Sequence, residues 1–485
     1  MRPGRPTVGF TTCRILLSLA AAALIFSPLL RDPGAGWPLG PARRLAFGLT
    51  LLTLLAYAIR WRQRGFADDR HPLDVLLLGV LPLYALLIGN GGILTSGDNL
   101  ATRALGPAIL RDHSLDVSRY PPFLQEPEHY SLVSVDGRSL PAFPLGTGLL
   151  SVPYVAVALA LTPGPVTDVL LSRWERHFSA LIGCGASLFF FLALRRRLPG
   201  PVAVVAAAIF ATATNVLSSV GQAMWSTSGE VFFLTLAVYL LFGDLPRPWH
   251  QSFGAGLALA AAFACRPTAL VATAAMAAAA IYEDRRTLKP LLYTAGLGVV
   301  AVSLFQYELY GNLLGGYGLL NLRAGIWGDR TLEGLAGNLL SPSRGLLVFF
   351  PYVLFLALGW KTALTRGFSH WWLAAATALL GTVALASCYE KWWGGASLGP
   401  RLLTEAAPFM AFLTVPLLLD DGLRGLRLWS FRAALLFAAA TQVLLIYNPA
   451  ANRWTGEVNL DARPELLWSV RDSQLAAAWG IRGGA

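Results

Sequence analysis

Apolar runs long enough to cross a bilayer recur along nearly the whole chain, and they decide the fold class before any other feature does. A spanning helix needs about 20 such residues. Only helices and closed barrels satisfy every backbone N–H and C=O without water. Hydrophobic residues make up 55% of the chain and charged residues only 13%, against about 25% charged in soluble domains. Runs near 14–30, 44–60, 73–94, 174–195, 200–219, 229–243, 252–265, 267–282, 290–308, 345–360, 370–388, 403–419 and 431–448 predict about thirteen spans. The expected fold is an all-α polytopic membrane protein. It divides into an N-terminal pair of spans in 1–72, a main transmembrane unit in 73–448 with an outer loop at 96–143, and a tail at 449–485. No soluble domain of ordinary size fits between the spans.

The net charge of +11 is spread over short loops. It reads as topology signal and contact with anionic lipid, not as nucleic-acid binding. Arg60, Arg62 and Arg64, the run Arg195 to Arg197, Arg285 and Arg286 with Lys289, Lys361 with Arg366, and Arg424 with Arg427 share one side if the N-terminus is cytoplasmic and the tail lies outside. The 96–143 loop is then also outside. Arg43 and Arg44 fall on the wrong side, which leaves the orientation of the first two spans open. Ile15 to Leu30 follows Arg2, Arg5 and Arg14 and reads as an uncleaved first span. Segment 145–161 is apolar enough to cross, but crossing would reverse every later basic loop. It is expected to lie at, or dip into, the outer membrane face, with Pro144, Gly146, Gly148 and Pro153 making it a poor continuous helix. The four cysteines show no metal-type spacing.

The apolar run 73–94 ends at Ser96-Gly97-Asp98. A carboxylate at the exit of a span is costly unless it is used, which makes Asp98 the first site candidate. The competing reading is that Asp98 caps the helix expected at 99–111. The other outer stretches, 309–344 and 389–401, bring Arg344 in a Ser-Pro-Ser-Arg-Gly turn, Glu390 and Lys391 before Trp392-Trp393, and Arg401 after Gly399-Pro400. A carboxylate can take a proton from an acceptor hydroxyl. Cations at the same depth can hold a phosphate, and aromatic rings suit sugar faces. Each residue has a plainer role: a snorkelling Arg401, an Arg344 that bonds loop carbonyls, a structural ion pair for Arg266, and an interfacial anchor for the tryptophans.

The run SGDNLATRALGPAILRDHSLDVSRYP (96–121) resembles the first outer loop of GT-C-fold membrane glycosyltransferases, most of all the bacterial relatives of the dolichyl-phosphate-mannose–protein mannosyltransferases. VDGRSLPAFPLGTGLLSVP (135–153), QAMWSTSGE (222–230), CRPTAL (265–270), LSPSRGLLVFFP (340–351) and WWGGASLGPRLLTEAAPF (392–409) follow in the family's order. Asn99 stands where many relatives carry a second acid, and Ser226 and Thr227 follow Trp225 where a His is common. The resemblance implies an inner-membrane enzyme that takes a sugar from a polyprenyl phosphate at the periplasmic face and passes it to a hydroxyl on a glycan, lipid or protein, with inversion. It implies Asp98 as the base. Lys391, Arg401 and Arg344 are the expected phosphate cations, and Glu390, Trp225, Trp393 and Arg266 the expected substrate contacts. No metal ligand is assigned and no cofactor is required, although a divalent metal is left open. The alternatives are a lipid or glycan transporter of flippase type, and an inactive envelope scaffold of the same fold.

Overall fold

The structure, a computed structural model, describes residues 79–90, 94, 96–126, 128–325 and 327–481. The first two expected spans and the 1–72 unit lie outside the described residues. The described chain is mostly helical, and five of its helices are long and apolar enough to cross a membrane.

The end of the run 73–94 is helix α1 (Leu81–Ile88). Its last carbonyls lack partners within the helix, as at every helix C-terminus, and side chains from three distant stretches take them. Arg176 Nη2 donates to Ile88 O at 3.0 Å, Gln222 Nε2 to Leu87 O at 3.2 Å, and Tyr447 Oη to Leu86 O at 2.8 Å. The chain therefore approaches the 96–143 loop from a fixed point.

That loop is folded around its own core. Helix α2 (Leu100–Asp112) is followed by a hairpin of β1 (Leu132–Val135) and β2 (Arg138–Pro141), paired Leu132 to Pro141. Asp136 and Gly137 both have positive φ at the hairpin turn, as a two-residue turn of matching twist requires. Val117, Tyr120, Phe123, Val133 and Leu140 are buried beneath it. The all-α expectation therefore gains one small hairpin, at an Asp-Gly pair between Val135 and Arg138.

Helix α3 (Gly146–Leu161) is continuous through Pro153, which corrects the expectation of a broken segment. Glycines allow it to pack closely. A Cβ on Gly146 would lie 2.5 Å from Cys265 N, and one on Gly106 of α2 would lie 2.9 Å from Val155.

The main bundle begins with helix α4 (Asp168–Arg195), which has 28 residues, about 42 Å. Thr167 Oγ1 caps it by accepting from Leu170 N. Then come α5 (Gly200–Thr212), α6 (Ser226–Leu241), α7 (Trp249–Cys265), α8 (Leu270–Glu283) and α9 (Leu288–Tyr310). Helices α7 and α9 meet through small residues one turn apart. A Cβ on Gly256 would fall 1.8 Å from Thr294 Oγ1, and one on Gly298 would fall 2.5 Å from Ala260 Cβ. Close approach of this kind drives helix association where lipid is as apolar as the side chains. Helices α10 (Ser369–Ser387), α11 (Ala407–Leu418) and α12 (Gly425–Tyr447) complete the bundle, and α13 (Pro449–Glu457) begins the tail.

Two expected spans take another form. The run 200–219 stops as a helix at Thr212 and resumes as a wide turn, Val216–Val220. The run 345–360 becomes a four-residue helix, Leu346–Phe349, and then a tight helix starting at Pro351, whose ring cannot continue the helix before it.

Polar groups gather at both ends of α6. Beyond its C-terminus Arg197 and Arg247 pair with Glu283, Trp371 Nε1 donates to Glu283 Oε2 at 3.1 Å, and Arg247 N donates to Asp284 Oδ2 at 2.9 Å. Its N-terminus, one helix length of about 24 Å away, carries Trp225 at the N-cap, and Arg401 and Asp98 meet beside that ring.

Candidate active site

Asp98 occupies a tight turn, Gly97–Asn99, that leads into α2. Its carboxylate takes no helix N–H among the described residues, so the capping role falls to Ser96, whose Oγ accepts from Asp98 N at 3.4 Å. The carboxylate points instead at two groups far along the chain. Arg401 Nη1 donates to Asp98 Oδ2 at 2.7 Å, across 303 residues, and Tyr130 Oη donates to Asp98 Oδ1 at 2.7 Å. Both members of the ion pair keep some solvent contact, at 20% for Asp98 and 14% for Arg401. The Arg401 guanidinium lies over the Trp225 ring, 4.1 Å from its centroid, a distance at which cation and ring attract. Gly97 makes room for the phenol: a Cβ there would meet Tyr130 Oη at 2.5 Å.

Arg401 is aimed by its backbone. It opens the tight helix Arg401–Ala406. Gly399 before it has φ +58°, a conformation that favours glycine, and Asn215 Nδ2 donates to Pro400 O at 2.7 Å. One turn further on, Glu405 is buried. Its Oε2 accepts from Thr268 Oγ1 at 2.9 Å and lies 3.7 Å from Arg266 Nε. Arg266 is therefore in a buried ion pair. Glu230 of α6 is fully buried, and neither of its oxygens has a hydrogen-bond partner among the described residues. Nearby, Tyr317 and Tyr389 share a hydrogen bond of 2.9 Å, and the ring of Trp327 stacks on Tyr389 at 4.8 Å. Burial, then the neighbouring Tyr389, pushes the Tyr317 phenol well above its ordinary range, while Arg266 pulls the other way.

The remaining candidates lie in a group organised by the tail. Lys391 is exposed and pairs with Asp461, whose other oxygen accepts from Trp393 Nε1 at 3.2 Å. Glu390 is half exposed and faces Arg330 Nε at 3.9 Å. Arg344 is buried and makes four hydrogen bonds to neutral protein acceptors: Trp393 O, Ser343 O and Gln474 Oε1, each at 2.8 Å, and Gly395 O at 3.2 Å. That is the loop-bonding role weighed from the sequence. Burial, then the charge of Arg401, pushes the Arg344 guanidinium down to about 9, which leaves it a cation at neutral pH.

The structure thus joins Asp98, Arg401 and Trp225, and sets Lys391, Glu390 and Arg344 in contacts of their own. Tyr130, Glu405 and Glu230 were not among the expected site residues; Glu230 and Glu405 fall inside the 222–230 and 392–409 motifs, while Tyr130 carried no signal beyond residue type. Among the described residues no three His, Cys, Asp or Glu side chains gather as a metal-ligand set.

Residues 173–307, from α4 through most of α9, match the sequence profile of the dolichyl-phosphate-mannose-protein mannosyltransferase family. The match is confined to this stretch, which is less than half of the chain. It takes in Trp225, Glu230 and Arg266 of the mannosyltransferase-like segment, while Asp98 and Arg401 lie outside it. No curated protein matches the sequence. Two solved structures are similar in shape. One is the archaeal oligosaccharyltransferase AglB from Archaeoglobus fulgidus in complex with an inhibitory peptide and a dolichol-phosphate, at 14% identity and a TM-score of 0.46, covering 83% of this chain and 60% of that one. The other is an oligosaccharyltransferase from the same organism in the apo form, at 13% identity and a TM-score of 0.47, covering 87% and 57%. This chain therefore spans about three fifths of their length.

Proposed function

We propose that this chain is a membrane glycosyltransferase of the GT-C type that moves a sugar from a polyprenyl phosphate to a hydroxyl at the periplasmic face. The single observation that carries the reading is the meeting of Asp98 with Arg401 over Trp225. It brings one carboxylate and one cation to one end of α6, with an aromatic face beside them. The mannosyltransferase match over 173–307 supports the same class.

In this reading the donor phosphate replaces Asp98 as the partner of Arg401, and the freed carboxylate receives the acceptor's proton. The acceptor oxygen forms a bond to the anomeric carbon as the bond from that carbon to the phosphate oxygen breaks. The electron pair leaves with the phosphate, the proton ends on Asp98, and the configuration inverts. Arg401 stabilises the leaving charge where it develops. Arg344 contributes through its field from behind, and Lys391 reaches the phosphate only by leaving Asp461. The Trp225 and Trp393 rings, with Glu390 and Arg266, are the proposed sugar and acceptor contacts.

Proteoliposomes given a labelled polyprenyl-phosphate sugar and an acceptor glycan test the reading. Transfer of label to the acceptor is the expected result. Label that crosses the bilayer without transfer would instead establish a transporter, and neither outcome would leave a scaffold.

A further inference from the structure

One residue of the tail contacts the turn that leads into Arg401. Gln474 begins the short helix Gln474–Ala478 and has no solvent exposure. Its Oε1 accepts from Arg344 Nη1 at 2.8 Å and from Gly399 N at 2.7 Å. Its Nε2 donates to Ser397 O at 3.0 Å and to Thr455 Oγ1, and its own N donates to Ser343 Oγ at 3.3 Å. The amide orientation is fixed by its neighbours: Arg344 and Gly399 N can only donate, and the Ser397 carbonyl can only accept. One side chain thus ties together the 341–345 turn, the 394–401 loop, α13 and the last helix.

Two consequences converge on Arg401. The first is geometric. Gln474 holds Gly399 N and Asn215 holds Pro400 O, so the 398–399 and 400–401 peptide units, which flank Gly399-Pro400, are gripped by two distant stretches of the chain. Arg344, which Gln474 orients, binds the carbonyls on either side of Gly394, and a Cβ on Gly394 would lie 3.6 Å from Arg401 Nε.

The second is electrostatic. A buried guanidinium ordinarily needs a carboxylate partner. No carboxylate among the described residues lies within ion-pair distance of Arg344, and every acceptor it uses is neutral. Gln474 completes its hydrogen bonding without cancelling its charge. Asp98, Arg401 and Arg344 together therefore carry one surplus positive charge, which suits an anion arriving at Arg401.

We propose that Gln474 is a positioning residue for Arg401: it clamps the turn that carries this cation and, being neutral, leaves the charge of Arg344 uncancelled beside it. The proposal rests on the reading of Arg401 as the donor-phosphate cation. It makes the tail 449–481 part of the anion site.

The test uses the full chain in nanodiscs and a polyprenyl monophosphate without sugar as probe, with thermal melting alongside. Four variants are compared: Arg401→Gln, Gln474→Met, Gln474→Glu and Asn448→Ala. The last loosens the tail elsewhere, by removing the donor to Ala478 O at 2.8 Å. Arg401→Gln is expected to lose binding. Gln474→Met, which loses the clamp but keeps the charge balance, is expected to bind about 10-fold more weakly than the native chain, and Gln474→Glu, which keeps an oxygen for Gly399 N but loses the donor to Ser397 O and cancels Arg344, is expected to bind more weakly too. One decade corresponds to 1.4 kcal/mol. Asn448→Ala is expected to melt earlier and bind normally.

If Arg401→Gln binds like the native chain, the phosphate-cation reading falls whatever Gln474 does. If Arg401→Gln loses binding while Gln474→Met keeps native affinity, the Gln474 proposal falls and the phosphate-cation reading stands. If Asn448→Ala weakens binding as much as Gln474→Met at equal loss of stability, the role is structural only and the proposal is overturned. Should Gln474→Glu fail to fold, Gln474→Met decides alone.

Discussion

Replacing Gly97 by alanine tests whether the Tyr130 phenol steers Asp98. The added Cβ would stand 2.5 Å from Tyr130 Oη, 2.9 Å from Cε1 and 3.0 Å from Cζ. Ordinary carbon contacts begin near 3.5 Å, so the ring must retreat by about 1 Å. The Oη to Asp98 Oδ1 bond is 2.7 Å long, and a retreat of that size takes it past about 3.6 Å, where no hydrogen bond remains. Tyr130 is 53% exposed, so the ring can move at little cost. A hydrogen bond to a charged group contributes about 1.5–3 kcal/mol when buried. At this exposure water replaces part of it, and a loss of about 1 kcal/mol is expected in stability.

The effect on transfer should be larger, because the freed carboxylate can rotate away from the acceptor. Tyr130→Phe removes the same bond without crowding. The two single variants should therefore slow transfer by similar factors, and the double variant should be no slower than either, as expected for residues acting through one contact. The assay is the initial rate of label transfer from a polyprenyl-phosphate sugar, with melting of each variant measured in parallel. A native rate for Gly97→Ala, or effects of the two changes that multiply, would refute the reasoning.

Two further predictions concern the scaffold. Glu283→Gln removes the one carboxylate that both Arg197 and the unexposed Arg247 side chain pair with. A cost of about 3–5 kcal/mol is expected, seen as a much lower melting temperature, and a melting curve like the native one would contradict the pairing. Gly256→Ala forces a methyl to within 1.8 Å of Thr294 Oγ1, with Leu291 O at 2.7 Å. Overpacking by about 1–3 kcal/mol is expected. Adding Thr294→Ala should recover part of it, and no recovery would place the strain elsewhere.

Much of the fold was legible because a lipid-embedded chain advertises its spans by composition. Asp98 was legible for the same reason, as a charge where hydrocarbon ends. Arg401 after Gly399-Pro400 was visible too, but nothing in the order of residues announces a contact across 303 positions. What the sequence left hidden about Lys391 and Arg344 has one cause, which is that the tail's fold leaves no periodic signal. Lys391 looked free because Asp461, its partner, sits in that tail. Which acceptors the Arg344 guanidinium would use was hidden because they come from a loop and from Gln474. Tyr130 and Gln474 are single polar residues in irregular stretches, and their roles arise only from what the fold brings beside them. The hairpin differs: Asp136-Gly137 is a local turn signal that the sequence does carry.

The most direct test of the central claim is sugar transfer by Asp98→Asn, measured alongside binding of a polyprenyl monophosphate. Asparagine keeps the shape of Asp98 and abolishes its capacity to take a proton, which typically costs about 10²–10⁴-fold in rate. Arg401, released from its carboxylate partner, should bind the phosphate at least as tightly as before. The account predicts transfer lowered by at least about 100-fold, with binding retained. Native transfer by a folded Asp98→Asn protein would contradict it.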